Sequence, residues 1–218
     1  MKLYKQIELG ALLSENPVIL ECGSNNGKDT LCMLKDYPTA RLYCFEPDPR
    51  NVAIFKKAVA GFEDRCTLYE IAIANTDGFI AFRQSYGRRP HRPKSEFIFA
   101  STIKDPKPQM KLHPWLKYKE PIQVKAIKLD TWLKTVDIPT IDFMWTDVEG
   151  AEEEAILGGT ELLKKLHYLY IEYNDFESYG GRITSNDILE LLPNYKLVKK
   201  WKYDMLLHNE QWAYTQIL

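Results

Sequence analysis

The strongest constraint on the fold of this chain is a pair of short apolar runs, each delivered straight into polar turn chemistry. Val18-Ile-Leu-Glu-Cys22 runs into Gly23-Ser-Asn-Asn-Gly27, and Arg41-Leu-Tyr-Cys-Phe45 ends on Glu46-Pro47. Runs of five residues bounded by glycine or proline are too short for buried helices and read as core strands. With a helix-length segment from about Lys28 to Leu34 between them, they form one half of a doubly wound, mostly parallel α/β sheet. In such a sheet ligands gather at the carboxyl ends of the strands, where Gly23 to Gly27 and Glu46 fall.

The residue types at those strand ends point to an adenosine cofactor. Gly23 and Gly27 let the backbone turn sharply around Ser24, Asn25 and Asn26, and the following helix aims its N-terminal amides into the same pocket. Glu46, fixed before Pro47, can accept hydrogen bonds from both ribose hydroxyls. A dinucleotide site requires GxGxxG with amides free for a pyrophosphate, whereas this loop is GxxxG with Glu21 directly before it. A carboxylate at Glu21 repels a pyrophosphate and suits a positively charged amino acid end, such as that of S-adenosylmethionine. A NAD-dependent oxidoreductase is disfavoured on the same ground.

With those motifs in view, the chain resembles the class I methyltransferases and, more narrowly, the FkbM family. The resemblance rests on Glu21 to Gly27, Phe45-Glu46-Pro47, Ala72-Ile-Ala-Asn-Thr-Asp-Gly78, Lys128-Leu-Asp-Thr-Trp-Leu133 and Asp147-Val-Glu-Gly-Ala-Glu152, in order along most of the chain. It implies a Rossmann-like fold and S-adenosylmethionine-dependent O-methylation, with sugars and polyketides among the family's acceptors. One position departs: the family usually has a lysine two residues before Asp147, and here it is Trp145. No catalytic role is carried over for that lysine.

Bulk properties fit this reading. The 218 residues suit a single methyltransferase domain over 1–218, and the formal net charge of −1 disfavours nucleic acid as a partner. No apolar run reaches the roughly 20 residues of a membrane span, and the N-terminus lacks a signal-peptide core, so a cytoplasmic location is expected. Cys22, Cys32, Cys44 and Cys66 show no CxxC spacing and read as free thiols, Cys22 and Cys44 within core strands.

The remaining elements follow from periodicity. A helix follows Pro49 and ends by Gly61, Thr67 to Ile73 reads as the third strand, and Thr76-Asp77-Gly78 turns the chain so that Phe79 to Arg83 returns as a hairpin. Ile122 to Leu129 alternates as a strand, with Asp130 or Thr131 capping the next helix. Ile141 to Trp145 and Tyr168 to Glu172 are the fourth and fifth core strands. Lys196 to Lys202 and Gln211 to Gln216 read as a C-terminal antiparallel hairpin. Glu21, Glu46, Ala72, Asp147 and Glu172 then share one rim, and the loop from Tyr203 to Glu210 brings His208 near it.

Methyl transfer to a hydroxyl needs a general base or a divalent metal that lowers the hydroxyl pKa. Asp147 is the first candidate for either role, Glu149 the next, and His208 a third. If magnesium takes part, Asp147, Glu172 and Asn174 offer oxygen ligands from adjacent strand ends, as in catechol-type methyltransferases. The bland readings are helix-dipole carboxylates at Glu149 and Glu152, a strand-end cap at Glu172 and Asn174, and a surface loop histidine at His208.

Residues 84–121 are too long for an ordinary connection and read as a basic insertion or lid, with nine Lys and Arg against three acidic residues. That charge suits an anionic acceptor, against the plainer reading of a solvated loop. The function expected is O-methylation of a hydroxyl on a small molecule or glycan, most plausibly a carbohydrate. The alternatives are a nucleic-acid methyltransferase and a non-catalytic methyltransferase-like module. Glu46→Ala is expected to weaken S-adenosylhomocysteine binding by about 1 to 3 kcal/mol in calorimetry, through the loss of charge-assisted hydrogen bonds. Unchanged affinity would remove the ribose role from Glu46.

Overall fold

A computed structural model describes residues 13–212. The chain opens with β1 (Val18–Cys22), α1 (Lys28–Asp36), β2 (Arg41–Phe45), α2 (Pro49–Ala58) and β3 (Cys66–Tyr69). Short strands β4 (Ala72–Ile73), β5 (Gly78–Phe82) and β6 (Ser85–Gly87) follow, then α3 (Lys107–Leu112), β7 (Leu116–Tyr118), β8 (Ile122–Ile127) and α4 (Leu129–Leu133). The second half holds β9 (Ile141–Thr146), α5 (Glu152–Leu157), α6 (Thr160–Lys164), β10 (Leu166–Glu172), α7 (Ser185–Leu191), β11 (Tyr195–Lys200) and β12 (Asp204–Asn209).

Seven strands form the main sheet in the order β11-β12-β10-β9-β1-β2-β3. Pairs from β10 to β3 are parallel, while β12 runs antiparallel to β10 and β11 antiparallel to β12. Both faces are covered, which is why the strands lack polar alternation. Leu20, Phe45, Met144 and Ile171 pack with Trp132 and Ile156 on one side. Ile19, Leu42, Phe143 and Tyr170 pack with Met33 and Phe55 on the other. The chain order reverses direction at β1, so the β1/β9 boundary is the crevice where a doubly wound sheet admits a ligand. No helix among the described residues is long and apolar enough to cross a membrane.

Three local expectations are corrected. The run from Thr67 to Ile73 divides: Cys66–Tyr69 pairs with β2, and Ala72–Ile73 leaves to pair in parallel with β8. Phe79 to Arg83 does not fold back on its predecessor; β5 pairs antiparallel with β8, giving a separate sheet in the order β4-β8-β5. Periodicity reports which face a residue presents but not which strand lies beside it. The C-terminal hairpin joins Tyr195–Lys200 to Asp204–Asn209, because Met205, Leu206 and Leu207 are the apolar run that the core takes in. Residues 213–216 of the expected strand lie outside the described residues.

Two aspartates do more than terminate turns. Asp77 accepts from the Lys128 amide and the Thr131 hydroxyl, both at 2.8 Å, tying the β4–β5 turn to the start of α4. Asp130 lies inside α4 yet caps α6, accepting from the amides of Glu161 at 3.0 Å and Leu162 at 2.8 Å. Asp130→Ala is therefore expected to cost about 1 kcal/mol. In a chain of this size that lowers Tm by roughly 2–4 °C, measurable by calorimetry.

Candidate active site

The carboxyl ends of β1, β2 and β9 open into a cavity of ≈ 360 Å³. Its floor depends on glycine. Gly23 has φ +90°, and a Cβ there would stand 1.8 Å from the Asp147 carbonyl oxygen. The Gly23 and Ser24 amides donate to the Phe45 carbonyl at 3.0 Å, so one turn ties together the ends of three strands. Asn25 adopts φ 51° at the apex, and its side-chain oxygen is buried without a hydrogen-bond partner. Gly27, at φ +72°, is the N-cap of α1 and packs on Phe55, where a Cβ would approach within 2.8 Å.

Glu46 projects from the end of β2 into this turn. One of its oxygens accepts from the Asn25 amide at 2.8 Å and the other from the Asp48 amide at 2.7 Å. Burial pushes its carboxyl up to about 7, with the charge of Asp48 adding to the shift. Asp48 caps α2 ahead of Pro49 and also gathers the insertion, accepting from Gln84 at 2.8 Å and Ser101 at 2.9 Å while paired with Arg50 at 2.6 Å. Glu21 lines the cavity and accepts from the Thr30 hydroxyl; burial raises it to about 8. Trp145 is paired in register with Glu21, lines the same wall and packs on Tyr170 at 5.1 Å.

A second group of carboxylates lies past the end of β9. Asp147 faces the cavity with one side-chain oxygen lacking a hydrogen-bond partner. Burial raises its carboxyl well above the usual range, and the charges of Glu172, Glu149, Glu152 and Asp204 push the same way. Glu149 takes a left-handed φ of 54°, its carbonyl accepting from Thr102 at 2.7 Å and its carboxyl from the Tyr179 hydroxyl at 2.5 Å. Burial and the charge of Glu172 raise it to about 8. Gly150 follows at φ +98°, where a Cβ would meet the Tyr179 ring at 2.7 Å.

Arg182 compensates this group. Its guanidinium donates to Glu172 at 2.7 Å and stands 3.3 Å from Glu152, with both the Arg182 and Glu152 side chains almost wholly buried. Burial works against its charge, yet Glu152 and Glu172 hold it firmly protonated. This arrangement bears on the expected magnesium set. The Glu172 carboxylate is committed to a cation, the Asn174 amide donates to Ser178 at 3.2 Å, and neither residue lines the cavity with Asp147. Among the described residues no group of three His, Cys, Asp or Glu side chains could hold a metal ion. Of Asp147, Glu172 and Asn174, Asp147 and Asn174 each keep one buried side-chain oxygen without a hydrogen-bond partner, while Glu172 is paired with Arg182.

The opposite wall comes from the 84–121 segment, which folds back through the β6–β7 ladder and contributes Arg89, Phe97, Phe99, Ser101 and Ile103. The cavity thus brings together Glu21, Gly23, Ser24, Asn25, Asn26, Glu46, Pro47, Ala72, Asp147 and Glu149. Gly27 supports it from behind. His208 is elsewhere: it lies in β12 opposite Tyr168, toward the amino end of β10, with its Nε2 3.2 Å from His167 Nε2. The tighter hairpin turn is what moves it away from the rim. Sequence reading missed Tyr179 and Arg182, on the loop after β10: Tyr179 meets Glu149 and Arg182 meets Glu152, each thirty residues away, while Arg182 also takes Glu172 ten residues before it, and none of these pairs carries a spacing signal.

The methyltransferase FkbM domain matches residues 21–205. The chain is 37% identical over 213 residues to 2-O-methyltransferase NoeI of Sinorhizobium fredii (strain NBRC 101917 / NGR234), covering 96% of this chain and 86% of NoeI. It is 26% identical over 161 residues to Methyltransferase 1 of Beauveria bassiana (strain ARSEF 2860), covering 66% and 59%. Among solved structures, a candidate sarcosine dimethylglycine methyltransferase from Galdieria sulphuraria aligns with a TM-score of 0.52 at 9% identity, over 90% of this chain and 61% of that one. A candidate rRNA methylase from Clostridium thermocellum aligns with a TM-score of 0.50 at 10% identity, over 94% and 91%. Both structural likenesses concern the fold alone.

The buried ion pairs carry a stability consequence. Arg182→Met leaves Glu152 and Glu172 without their cation and is expected to destabilise the protein by about 3 to 5 kcal/mol in chemical denaturation. Glu152→Gln in the same chain should recover part of that loss. No recovery would show that Arg182 acts through packing rather than charge.

Proposed function

Because this chain belongs to the FkbM family and is an S-adenosylmethionine-dependent methyltransferase, we propose that it methylates an oxygen, that of a carbohydrate hydroxyl. The observation that carries this reading is the presence of Asp147 and Glu149 on the same cavity wall system as Glu46. A nucleoside-reading carboxylate and proton-accepting carboxyls therefore face one space. The likeness to a 2-O-methyltransferase supports oxygen as the acceptor atom, and the family resemblance supports a sugar.

The residues present fit the cofactor. Glu46 keeps lone pairs for the ribose hydroxyls beyond those used by two amides, and the Asn25 side-chain oxygen is left without a protein partner. Glu21 faces the positively charged amino acid end, Ala72 and Pro47 offer apolar contact, and Gly23 to Asn26 supply close backbone. When bound, S-adenosylmethionine would supply an electrophilic methyl group on a sulfonium whose thioether is the leaving group. Asp147 would be the general base that takes the acceptor hydroxyl proton. Asp147 lines the cavity, and its raised pKa makes the carboxylate a stronger base than an exposed aspartate. Glu149, steadied by Tyr179 and Thr102, sits beside it to receive or share the proton.

We read residues 1–218 as one methyltransferase domain, with 84–121 as its acceptor-facing insertion. The four cysteines are buried and free, which supports the expected cytoplasmic setting. Methylation of nucleic acid is not favoured, given the likeness to a 2-O-methyltransferase of the FkbM family and a formal net charge of −1.

Asp147→Asn should lower methyl transfer to a sugar acceptor by about 10²- to 10⁴-fold, the usual contribution of a positioned base. S-adenosylhomocysteine affinity should change far less. Parallel loss of both would assign Asp147 to pocket integrity instead. Complete absence of methyl transfer to every carbohydrate tested by the wild-type protein would overturn the acceptor assignment.

A further inference from the structure

The cavity wall contributed by residues 84–121 contains one arginine whose surroundings leave its hydrogen bonds unmade. The Arg89 guanidinium carbon lies 4.0 Å above the Phe97 ring centre and 5.8 Å from that of Trp115. Stacking of this kind covers a guanidinium face and leaves its planar edge of N–H donors outward. Among the described residues no carboxylate or carbonyl accepts from the Arg89 side chain, although it is half-buried and lines the cavity. Its basic neighbours are differently placed. Lys104 closes on Glu154 at 2.6 Å, Lys107 lies 3.8 Å from Asp105, and Arg88 and Arg92 are exposed. Burial works against the Arg89 charge, the positive charge of Arg92 adds to that, and Glu149 opposes both. An arginine held in this way carries a desolvation cost that an incoming oxyanion would offset.

The platform under it is rigid. Phe97 meets Phe99 edge to face at 5.4 Å and Trp115 at 5.2 Å. The Phe97 amide donates to the Gly87 carbonyl at 2.8 Å, and Gly87, at φ +141°, approaches so closely that a Cβ would stand 2.2 Å from the Trp115 carbonyl oxygen. Phe99 keeps 37% of its surface exposed, an apolar face on which the C–H side of a sugar ring can lie. The oxyanion-binding edge and the apolar face thus belong to one segment of the cavity that Asp147 and Glu149 also line.

Resting on the carbohydrate reading above, we propose that this wall is an anion subsite for the acceptor. Arg89, stacked on Phe97, receives a carboxylate or phosphate carried by the sugar whose hydroxyl is methylated. Arginine presents a planar fork that either oxyanion can engage through two parallel hydrogen bonds. Such a contact would set the register of the ring and so decide which hydroxyl reaches Asp147.

The test is an NMR titration of the protein, saturated with S-adenosylhomocysteine, with glucose, glucuronic acid and glucose 6-phosphate. One or both charged sugars should bind at least about tenfold more tightly than glucose, the size expected of a charge-assisted pair. The two charged arms tell carboxylate from phosphate. Arg89→Met should abolish that preference and Arg89→Lys should retain part of it, with thermal melting reporting that each variant is folded. Equal affinity for all three sugars, or a preference that survives Arg89→Met, overturns the Arg89 assignment and leaves the carbohydrate reading standing. Binding of none of the three overturns the carbohydrate reading and the subsite with it.

Discussion

The close approach of the β1 turn to the end of β9 is the contact on which both halves of the site depend. At Gly23 the backbone comes so near the Asp147 carbonyl that no side chain fits, and the Asp147 amide donates back to Cys22 at 3.0 Å. That contact fixes the cofactor loop and the candidate base relative to one another. Any substitution at Gly23 must move one of them. The Gly23 and Ser24 amides extend the constraint to Phe45, and through it to Glu46. Three strand ends are thereby held as one rigid unit, and functional groups on rigid elements keep their geometry better than groups on free loops.

Electrostatics supplies the second organising constraint. Glu21, Glu46, Asp147, Glu149 and Glu152 are gathered at one end of the sheet, and burial raises each of them. A group of this kind is costly without compensation. Arg182 offsets it on the β10 side, and backbone amides offset it at Glu46 and Glu152. A buried oxygen of Asp147 still lacks a hydrogen-bond partner and Glu149 keeps a left-handed backbone, and both residues line the cavity. Strain and unmet hydrogen bonds concentrate where the chemistry is proposed to occur.

The insertion completes the site from the far side. Asp48 holds Gln84 and Ser101, Thr102 holds the Glu149 carbonyl, and Asp105 pairs with Gly180 next to Tyr179. The same residues that close the cavity therefore also position the acidic loop. The segment that carries Arg89 and Phe99 along the cavity is thus also the one that steadies the Glu149 backbone.

The parallel sheet, the glycine turn and the strand-end carboxylate were legible in the sequence, because each is dictated by local rules. Apolar runs of five residues must be buried, glycine must occupy positive φ, and Glu46 before a proline has nowhere to point but the rim. The division of Thr67 to Ile73 between two sheets, the tighter C-terminal hairpin and the removal of His208 from the rim were decided by tertiary structure. Periodicity reports orientation and carries nothing about partner strands. The same limit hid Arg182 and Tyr179, whose roles exist only because a distant loop folds over β9. The pairing of Glu172 was hidden likewise: its strand end adjoins that of Asp147, but Arg182 of the following loop turns back onto it. Local sequence determined where a nucleoside could bind, and long-range packing decided which carboxylates remained free to act.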